Sequence, residues 1–559
     1  MKRLLILGSA FIFSFSLFAQ EYKHVVFLKN KDNNPYSLTK PLEFLTQRSL
    51  DRRSKSGISL DMKDLPVTPA YAVQIGATGA IVVYSLKWFN AVIVNTNDSI
   101  VLTAISALPF VDHIDQVLPK KPVTGTSGSG VKQMDEIPPY TLTQPVTVVT
   151  NKSTGVIDYG LAYNQAHMIA ADGLHNLGYT GQGMMIAILD AGFYHVDQIP
   201  AFDSLWQNNR ILGTRDFNLP GNNVFGNDMH THGTSVLSTM GANLPGEMVG
   251  TAPDASFWLI RTEVGDYEAL IEEYNWAGGA EFADSLGADV INSSLGYTTF
   301  DNPAYNHTYA DMNGNTTPVT RAADLAASRG ILVVNSAGNS GGGSWQYIGA
   351  PADGDSVFSI GAVDALGMYA YFSSTGPTSD GRMKPNVMAQ GLGAAVISGG
   401  GNVSHGSGTS FSSPIMAGAL ACLWQSAPSF TAEQIRIAVR RTASKSNAPD
   451  SLYGWGIPNL VNARAVLSVP DAGPIRENQF SLFPMPFSSA PILHGSLDVQ
   501  RTIKVELLSV TGQLLNSNVF VFQASSAIQL DDFNKYPSGI YFLRISTATS
   551  QEVIRAVKI

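Results

Sequence analysis

Three residues, Asp190, His232 and Ser410, have the side chains for nucleophilic catalysis, and each lies close to turn-forming glycines. A serine hydroxyl is a weak nucleophile at neutral pH, so it needs a base within hydrogen-bonding distance and a third group that orients this base. An imidazole and a carboxylate commonly fill these two roles. The three residue types therefore supply a nucleophile, a base and a group that could orient the base.

Taken alone, Asp190 and His232 are each open to another interpretation. An apolar run, Ile186–Leu189, ends at Asp190, but many α/β proteins place a structural or metal-binding acid at the end of a strand. His230 and His232 suggest a metal pair, yet residues two apart in a helix do not share a face, and no third His, Cys or Glu stands nearby. We therefore predict no metal site at this segment.

Ser410 lies in a stretch of small residues, Ser407–Gly418, that predicts a helix beginning near the serine. Pro414 falls in the first turn, where the loss of an amide proton costs little. A serine at this place lies at the positive end of the helix dipole, where exposed amide protons stabilise an oxyanion. The alternative is that Ser410 only caps the helix.

The central part of the chain, residues 154–468, predicts strands that alternate with helices. Five apolar runs have the length and composition of buried strands: Met185–Leu189, Phe257–Ile260, Val290–Asn292, Ile331–Val334 and Val357–Ile360. This alternation predicts a parallel sheet wrapped by helices. One helix start is well defined, because Thr431 and Gln434 form a capping-box pattern ahead of a periodic apolar segment.

The two flanking regions differ from this pattern. Residues 21–153 combine short strand-like runs with a polar helical stretch, Pro41–Ser56, and then TGTSGSG and several prolines, which predicts a small α+β domain and a linker. Residues 469–559 begin with a segment rich in proline and glycine and continue from Phe480 as alternating strands. They predict a linker followed by a small β-sandwich.

The composition is that of an ordered globular protein with several domains, since 44% of the 559 residues are apolar and 14% are charged. The net charge of −9 repels nucleic acid, which we exclude as a partner. The single cysteine, Cys422, excludes intramolecular disulfides and thiolate metal sites. Lys2, Arg3 and the apolar run Leu4–Phe18 predict a secretory signal peptide over residues 1–20, and this run is too short for a transmembrane anchor.

The central region resembles the catalytic domain of the subtilisin-like serine proteases, the subtilase or peptidase S8 family. Besides the three segments above, the resemblance rests on Gly250–Pro253 (GTAP), Ala288–Gly296 (ADVINSSLG), Gly330–Asn339 (GILVVNSAGN), Phe372–Gly391 and Gly454–Ala463. It implies a doubly wound, mostly parallel α/β sheet over 154–468. It also implies that His232 acts as base and then acid, that Asp190 orients His232, and that Ser410 attacks the substrate.

The same resemblance assigns roles to four further residues. Asn339 would donate to the oxyanion beside the backbone N–H of Ser410, and the backbone of Ser294, Leu295 and Gly296 would pair with an extended substrate. The family usually has Ser or Thr after the aspartate, whereas this chain has an alanine at position 191, which removes a hydroxyl that could bond the carboxylate. We expect this difference to adjust the activity of the three catalytic residues rather than abolish it.

The N-terminal domain resembles the propeptides of secreted subtilases from Bacteroidetes-type bacteria, which carry stretches like Phe44–Arg53 (FLTQRSLDRR). Such a propeptide assists folding and inhibits the enzyme, so the chain's own propeptide is an expected partner in cis. Residues 21–150 carry a net charge of +2 and residues 151–559 a net charge of −13, and opposite charges favour docking. A permanent accessory domain is the alternative.

The last 80 or so residues resemble the sorting domain of the type IX secretion system. The resemblance rests on Leu482–Phe487 (LFPMPF), Val510–Gln513 (VTGQ), Tyr536–Leu543 (YPSGIYFL) and the basic end Arg555–Ile559. It implies the type IX machinery as a partner and export through the periplasm and outer membrane to the cell surface or the medium. A carbohydrate-binding or adhesive β-sandwich is the alternative.

The main hypothesis is a secreted serine endopeptidase, made as a zymogen, that cleaves protein or peptide substrates. A catalytically silent surface binding protein that keeps the fold, and a hydrolase of other esters or amides, are the alternatives. The chemistry requires no cofactor; structural calcium is left open, without assigned ligands.

Overall fold

A computed structural model describes residues 22–118, 157–265, 267–468, 480–483, 487–495, 501–510, 512–522, 526–547 and 551–559. The predicted signal peptide, residues 1–20, and the predicted linker over 121–153 lie outside these residues. The chain divides into two compact units. The first consists of Met1–Asn34, Val67–Ser85 and Asn90–Gly128, and the second of Pro35–Pro66, Leu86–Phe89 and Ser129–Ile559.

The α-helices of the described residues are mostly short and lie mainly in the central region. In chain order they are α1 (Gln47–Lys55), α2 (Pro69–Ala77), α3 (Ser99–Ser106), α4 (Tyr163–His167), α5 (Ala171–Asn176), α6 (Asp203–Gln207), α7 (His232–Gly241), α8 (Ile271–Leu286), α9 (Pro318–Ser328), α10 (Thr409–Ser426), α11 (Ala432–Arg441) and α12 (Leu460–Leu467). The predicted capping box is present at α11, where Gln434 Oε1 accepts from the Thr431 N–H at 2.9 Å. Within the part of the chain that the structure describes, no helix is long and apolar enough to cross a membrane.

The first unit is built on a sheet of four strands in the order β2-β3-β1-β4, in which β1 pairs antiparallel with both β3 and β4. These strands are β1 (Lys23–Leu28), β2 (Ile81–Leu86), β3 (Ala91–Asn95) and β4 (Val111–Leu118). The α+β prediction is confirmed, but helices α2 and α3 were not predicted. The β-branched residues of α3 favour a strand, whereas Asp98 accepts from the Ile100 N–H at 2.7 Å and so starts a helix.

The second unit contains a parallel sheet of seven strands in the order β13-β12-β11-β10-β5-β9-β6. Its helices lie on both faces, and two short hairpins accompany it. The strands of this region are β5 (Met185–Asp190), β6 (Ile211–Asp216), β7 (Asn243–Leu244), β8 (Met248–Val249), β9 (Ser256–Arg261), β10 (Val290–Ser293), β11 (Leu332–Ser336), β12 (Phe358–Val363), β13 (Val387–Gln390), β14 (Ala394–Ile397) and β15 (Val403–Gly406). All five predicted apolar runs are strands of this sheet, which confirms the α/β fold.

The carboxyl ends of three neighbouring strands meet at one edge of the sheet. In the register of the sheet, Leu189 of β5 lies beside Ser293 of β10, and Ser293 lies beside Asn335 of β11. The next few residues of each strand or loop therefore share this edge, as is usual for ligand sites of parallel sheets. The sheet thus brings Asp190 and Asn339 together although they are far apart in the sequence.

The C-terminal region consists of strands that form two sheets. They are β16 (Phe480–Phe483), β17 (Ile492–Gly495), β18 (Arg501–Leu508), β19 (Leu514–Phe522), β20 (Ser526–Gln529), β21 (Gly539–Ser546) and β22 (Gln551–Lys558). The sheet orders are β16-β17-β20 and β19-β18-β21-β22. Side chains from both sheets, among them Leu493 and Leu543, share one buried core. This arrangement matches the predicted β-sandwich.

Candidate active site

Asp190 and His232 form a direct contact at the end of β5. Asp190 is fully buried, and His232 is the first residue of α7. The imidazole Nδ1 lies 2.9 Å from Asp190 Oδ1 and 3.0 Å from Oδ2. Because an ionised carboxylate only accepts hydrogen bonds, this contact places the imidazole proton on Nδ1 and leaves Nε2 free to accept one.

Two glycines allow α7 to approach the end of β5. A Cβ on Gly233 would lie 2.3 Å from the carbonyl oxygen of Gly192, and one on Gly192 would lie 2.9 Å from the backbone nitrogen of His230. Any larger residue at these positions would push the start of α7 away from the strand. The glycines beside the two reactive residues thus serve their close packing.

His230 has a structural role at the start of α7. Its Nδ1 accepts a hydrogen bond from the backbone N–H of His232 at 3.1 Å, which satisfies a donor that the helix itself leaves unpaired. Among the described residues, no group of three or more His, Cys, Asp or Glu side chains is arranged to hold a metal ion. The prediction that the chemistry needs no cofactor stays a prediction.

Ser410 is the second residue of α10, and the residue that follows it lies close to His232. The ring of Phe411, the next residue, is 6.2 Å from the imidazole, measured between ring centroids. The Ser410 hydroxyl donates to the carbonyl oxygen of Ser294 at 3.3 Å rather than to His232. Such catalytic contacts are often long or misdirected until a substrate is bound.

The start of α10 is tied to the end of β10 by side-chain hydrogen bonds. The Ser294 hydroxyl donates to the Ser410 carbonyl at 2.9 Å, and the Ser413 hydroxyl donates to Asn292 Oδ1 at 3.0 Å. Both acceptors are held by regular elements of the fold. These bonds fix the position of Ser410 along the sheet edge.

Asn339 directs an amide group toward the backbone of Ser410. Its Oδ1 accepts from the Thr409 N–H at 2.8 Å and from the Thr409 hydroxyl at 2.9 Å, so its Nδ2 is left without a partner among the described residues. A Cβ on Gly408 would lie 3.6 Å from both Asn339 Nδ2 and Ser410 N, so the two donors border one small space. Gly408 also has a φ of 149°, which favours glycine.

Thr409 was not identified from the sequence, although it orients the Asn339 side chain. The threonine hydroxyl also accepts from the Gly338 N–H at 3.2 Å, so it links the loop that carries Asn339 to the helix that carries the serine. Its position directly before Ser410 was the available signal. A threonine at a helix start is usually interpreted as a cap, which hides such a contact.

The three predicted substrate-binding residues follow β10 but differ in whether their backbone groups already make hydrogen bonds. The Ser294 carbonyl accepts from Ser410, and the Leu295 carbonyl accepts from Asn335 Nδ2 at 3.1 Å. Gly296 is exposed, and its backbone makes no hydrogen bond to any described residue. Of the three, Gly296 is therefore the residue best placed to pair with an added strand.

Tyr297 anchors the segment behind Gly296. Its hydroxyl donates to Glu263 Oε1 at 2.7 Å, and its backbone N–H donates to the Ala350 carbonyl at 2.8 Å. Burial, followed by the nearby carboxylates of Glu263 and Glu272, raises the pKa of Tyr297 well above its usual value. The phenol therefore stays protonated and keeps this anchor across the physiological pH range.

The residue after Asp190 supplies a backbone donor in place of a hydroxyl. The Ala191 N–H donates to Asp190 Oδ1 at 2.8 Å, and the Ala191 carbonyl accepts from Arg261 Nε at 3.2 Å. Arg261 is buried and is also paired with Asp216 at 3.0 Å. Sequence analysis missed Arg261, whose only signal is a cation at the end of an apolar strand.

Comparisons with known proteins agree with this fold. Residues 181–456 match the subtilase family, Peptidase_S8. Subtilisin from Bacillus pumilus is 31% identical over 310 residues, which cover 54% of this chain and 97% of that protein. Subtilisin DY from Bacillus licheniformis is 33% identical over 303 residues, which cover 52% of this chain and 95% of that protein. The crystal structure of MycP1 from Mycobacterium smegmatis aligns with a TM-score of 0.44 and 21% identity, covering 58% of this chain and 89% of that one.

The family match and the identity to the two subtilisins define a serine endopeptidase of the subtilisin type. The chain belongs to the subtilase family. Residues 23–132 match the peptidase S8 propeptide domain of Bacteroidota, and residues 481–558 match the secretion system C-terminal sorting domain. The protein is thus a protease with its own propeptide, exported by type IX secretion to the cell surface or extracellular space.

Proposed function

We propose that the protein is a secreted zymogen whose mature form hydrolyses peptide bonds through an acyl-enzyme on Ser410. The observation that carries this proposal is the Asp190–His232 contact together with Ser410 at the start of α10, where the Ser410 N–H and Asn339 Nδ2 from the loop after β11 border one space. An active site of this kind needs a nucleophile, an oriented base and an oxyanion site.

In the proposed first step, the Ser410 hydroxyl leaves the Ser294 carbonyl and transfers its proton to His232 Nε2. Ser410 Oγ forms a bond to the scissile carbonyl carbon while the imidazolium is stabilised by Asp190. The C–N bond then breaks, and His232 gives the proton to the leaving amine. Water, deprotonated by His232, hydrolyses the resulting ester in the same manner and regenerates the serine.

The developing oxyanion would lie between Asn339 Nδ2 and the Ser410 N–H. Both donors already face one space before substrate arrives, so little reorganisation is needed when charge develops. Extended substrate would pair with the free backbone of Gly296, which favours peptides over small esters. These steps use only protein groups and water, and we propose no cofactor for them.

The direction of the Ser410 hydroxyl toward Ser294 favours one other candidate, a catalytically silent binding protein. Labelling with a fluorophosphonate probe separates the two. We expect covalent labelling at Ser410 in the purified wild type, with loss of residues before about 155, and no labelling in Ser410→Ala or His232→Ala. Turnover of casein beside a small ester tests the substrate class. A folded, fully processed wild type that resists the probe would support the silent candidate.

Replacing Asn339 by alanine is expected to lower kcat about 100- to 1000-fold with little change in KM, because the lost donor acts mainly on the transition state. Thr409→Val, which removes one of the two hydrogen bonds to Asn339, should lower kcat less. Steady-state kinetics on a chromogenic peptide measures both changes. A rise in KM at constant kcat would instead assign Asn339 to ground-state binding.

A further inference from the structure

Two stretches of the propeptide, Pro35–Pro66 and Leu86–Phe89, belong to the same compact unit as the catalytic domain. Their cations converge on one carboxylate, Asp284, in the last turn of α8. Arg52 Nη2 lies 2.6 Å from Oδ1, Arg53 Nη2 lies 2.8 Å from both oxygens, and Lys87 Nζ lies 2.9 Å from Oδ2.

These charges are buried. Asp284 is fully buried, the Arg53 residue is 1% exposed, and the Arg52 and Lys87 residues are also buried. All the ion-pair partners that Asp284 has within the described residues come from the propeptide. The described part of the catalytic domain thus supplies no cation that pairs with this carboxylate.

A reciprocal pairing lies beside this cluster. Arg329, which follows α9 in the catalytic domain, pairs with Asp61 at 2.9 Å and with Asp64 at 3.3 Å, and both aspartates belong to the propeptide. Asp64 also lies 3.0 Å from Arg53. The propeptide therefore pairs its cations with Asp284 of the catalytic domain, and the catalytic domain pairs Arg329 with Asp61 and Asp64 of the propeptide. This pairing is more specific than attraction between net charges.

Backbone carbonyls complete the pocket for the Arg52 guanidinium. Arg52 Nη1 donates to the Ala288 carbonyl at 2.6 Å, and Nε donates to the Arg329 carbonyl at 3.1 Å. A Cβ on Gly287 would lie 2.7 Å from the backbone nitrogen of Ser49, so this glycine lets α1 approach closely. The pocket thus matches a guanidinium in shape as well as in charge.

The charge state of Asp284 depends on the groups that face it. Burial by itself would raise the pKa of Asp284, but the charges of Lys87, Arg52 and Arg53 outweigh burial and hold this pKa below its usual value. The carboxylate is therefore ionised at neutral pH. A buried ion cluster contributes modest net affinity, yet removing one partner leaves uncompensated charge and is costly. Such a cluster therefore disfavours any partner that lacks a cation at these positions.

We propose that Asp284 and the carbonyls of Ala288 and Arg329 form a guanidinium-binding site whose ligand is the Arg52–Arg53 pair of the chain's own propeptide. The site holds the propeptide on the catalytic domain after the peptide bond between them is cut, and so it sets the latency of the zymogen. The proposal rests on the zymogen proposed above, but the release measurement does not require the chain's own activity.

The test uses the full chain with Ser410→Ala and a site-specific protease sequence inserted in the predicted linker over 121–153. After cleavage, release of the propeptide is followed by size-exclusion chromatography and native mass spectrometry. Asp284→Asn, which keeps the size of the side chain and removes its charge, should speed release roughly 30- to 1000-fold. Asp61→Asn is the matched control, because Asp61 is half exposed at the rim of the same contact, and it should change release less than about threefold.

Two further measurements decide the remaining cases. If the Asp284→Asn chain does not fold, Lys87→Met replaces it, since this variant removes one of three cations and keeps the backbone bond from residue 87 to Glu281. Faster release supports the site. Release of either variant at the wild-type rate overturns it. With Ser410 intact, the separated mature Asp284→Asn enzyme should keep wild-type kcat/KM; a loss there would overturn the proposal by showing that Asp284 supports the catalytic domain itself.

Discussion

Ser410→Ala is expected to lower kcat/KM by about six orders of magnitude and to leave the precursor uncleaved. The hydroxyl is the only proposed nucleophile, and a nucleophile, base and orienting acid that act as a unit lose nearly all of their contribution when one is removed. Chromogenic peptide turnover measures the loss, and intact mass shows whether residues 21–153 stay attached.

The matched control for this variant is Ser412→Ala. Ser412 lies on the same helix, is fully buried, and donates its hydroxyl to the Thr409 carbonyl at 3.1 Å. The Ser412→Ala substitution therefore removes the same kind of group from a residue with no proposed catalytic role. Its activity should stay within about tenfold of the wild type, the range for a modest structural change. Normal cleavage of protein substrate by Ser410→Ala would rule out Ser410 as the nucleophile.

Asp190→Asn is expected to lower kcat by about four orders of magnitude while the fold persists. Oδ1 of residue 190 accepts from the Ala191 N–H, and both carboxylate oxygens lie close to His232 Nδ1. An asparagine that keeps its carbonyl oxygen at the Oδ1 position would place its amide where Oδ2 stands, 3.0 Å from His232 Nδ1. That amide donates to Nδ1 and forces the imidazole proton onto Nε2. The base would then present a proton, instead of a lone pair, to Ser410.

The thermal midpoint, measured together with kcat as a function of pH, distinguishes this tautomer effect from loss of structure. The thermal midpoint of Asp190→Asn should stay close to that of the wild type, while kcat falls at every pH between 6 and 9. Ala191→Ser provides a comparison, because it adds the hydroxyl common in the family next to an unchanged carboxylate. An Asp190→Asn enzyme within tenfold of wild-type kcat would contradict the orienting role.

Much of the fold could be predicted because the relevant signals are local. A buried parallel strand is a short apolar run, and β5, β9, β10, β11 and β12 each carry that signal within four to six residues. The polar helix predicted over Pro41–Ser56 instead splits into a single 3-10 turn, Pro41–Glu43, and α1. The Thr46 side chain accepts from the Ser49 N–H and begins the α-helix there.

Only those residues of the site that lie in recognisable sequence motifs could be predicted. Asp190 and His232 are in contact, and Asn339 Oδ1 accepts from the Thr409 N–H, but the catalytic roles of these residues stay predictions. Asp284 gave no signal, because an acid in the last turn of an amphipathic helix is usually solvated. Its burial depends on Arg52 and Arg53, which are 232 and 231 residues away in the sequence.

The order of strands in the central sheet affects the point in folding at which the active site can form. Strand β5 lies between β10 and β9, and Ser294, which positions Ser410, is 116 residues from it. Closing such long loops is slow, and no early fragment of the fold holds the nucleophile, the base and the oxyanion donors together. The proposed nucleophile, base and oxyanion donors therefore come together only when the chain from residue 190 to residue 410 is present and folded, so a chain cut short before residue 410 lacks the site.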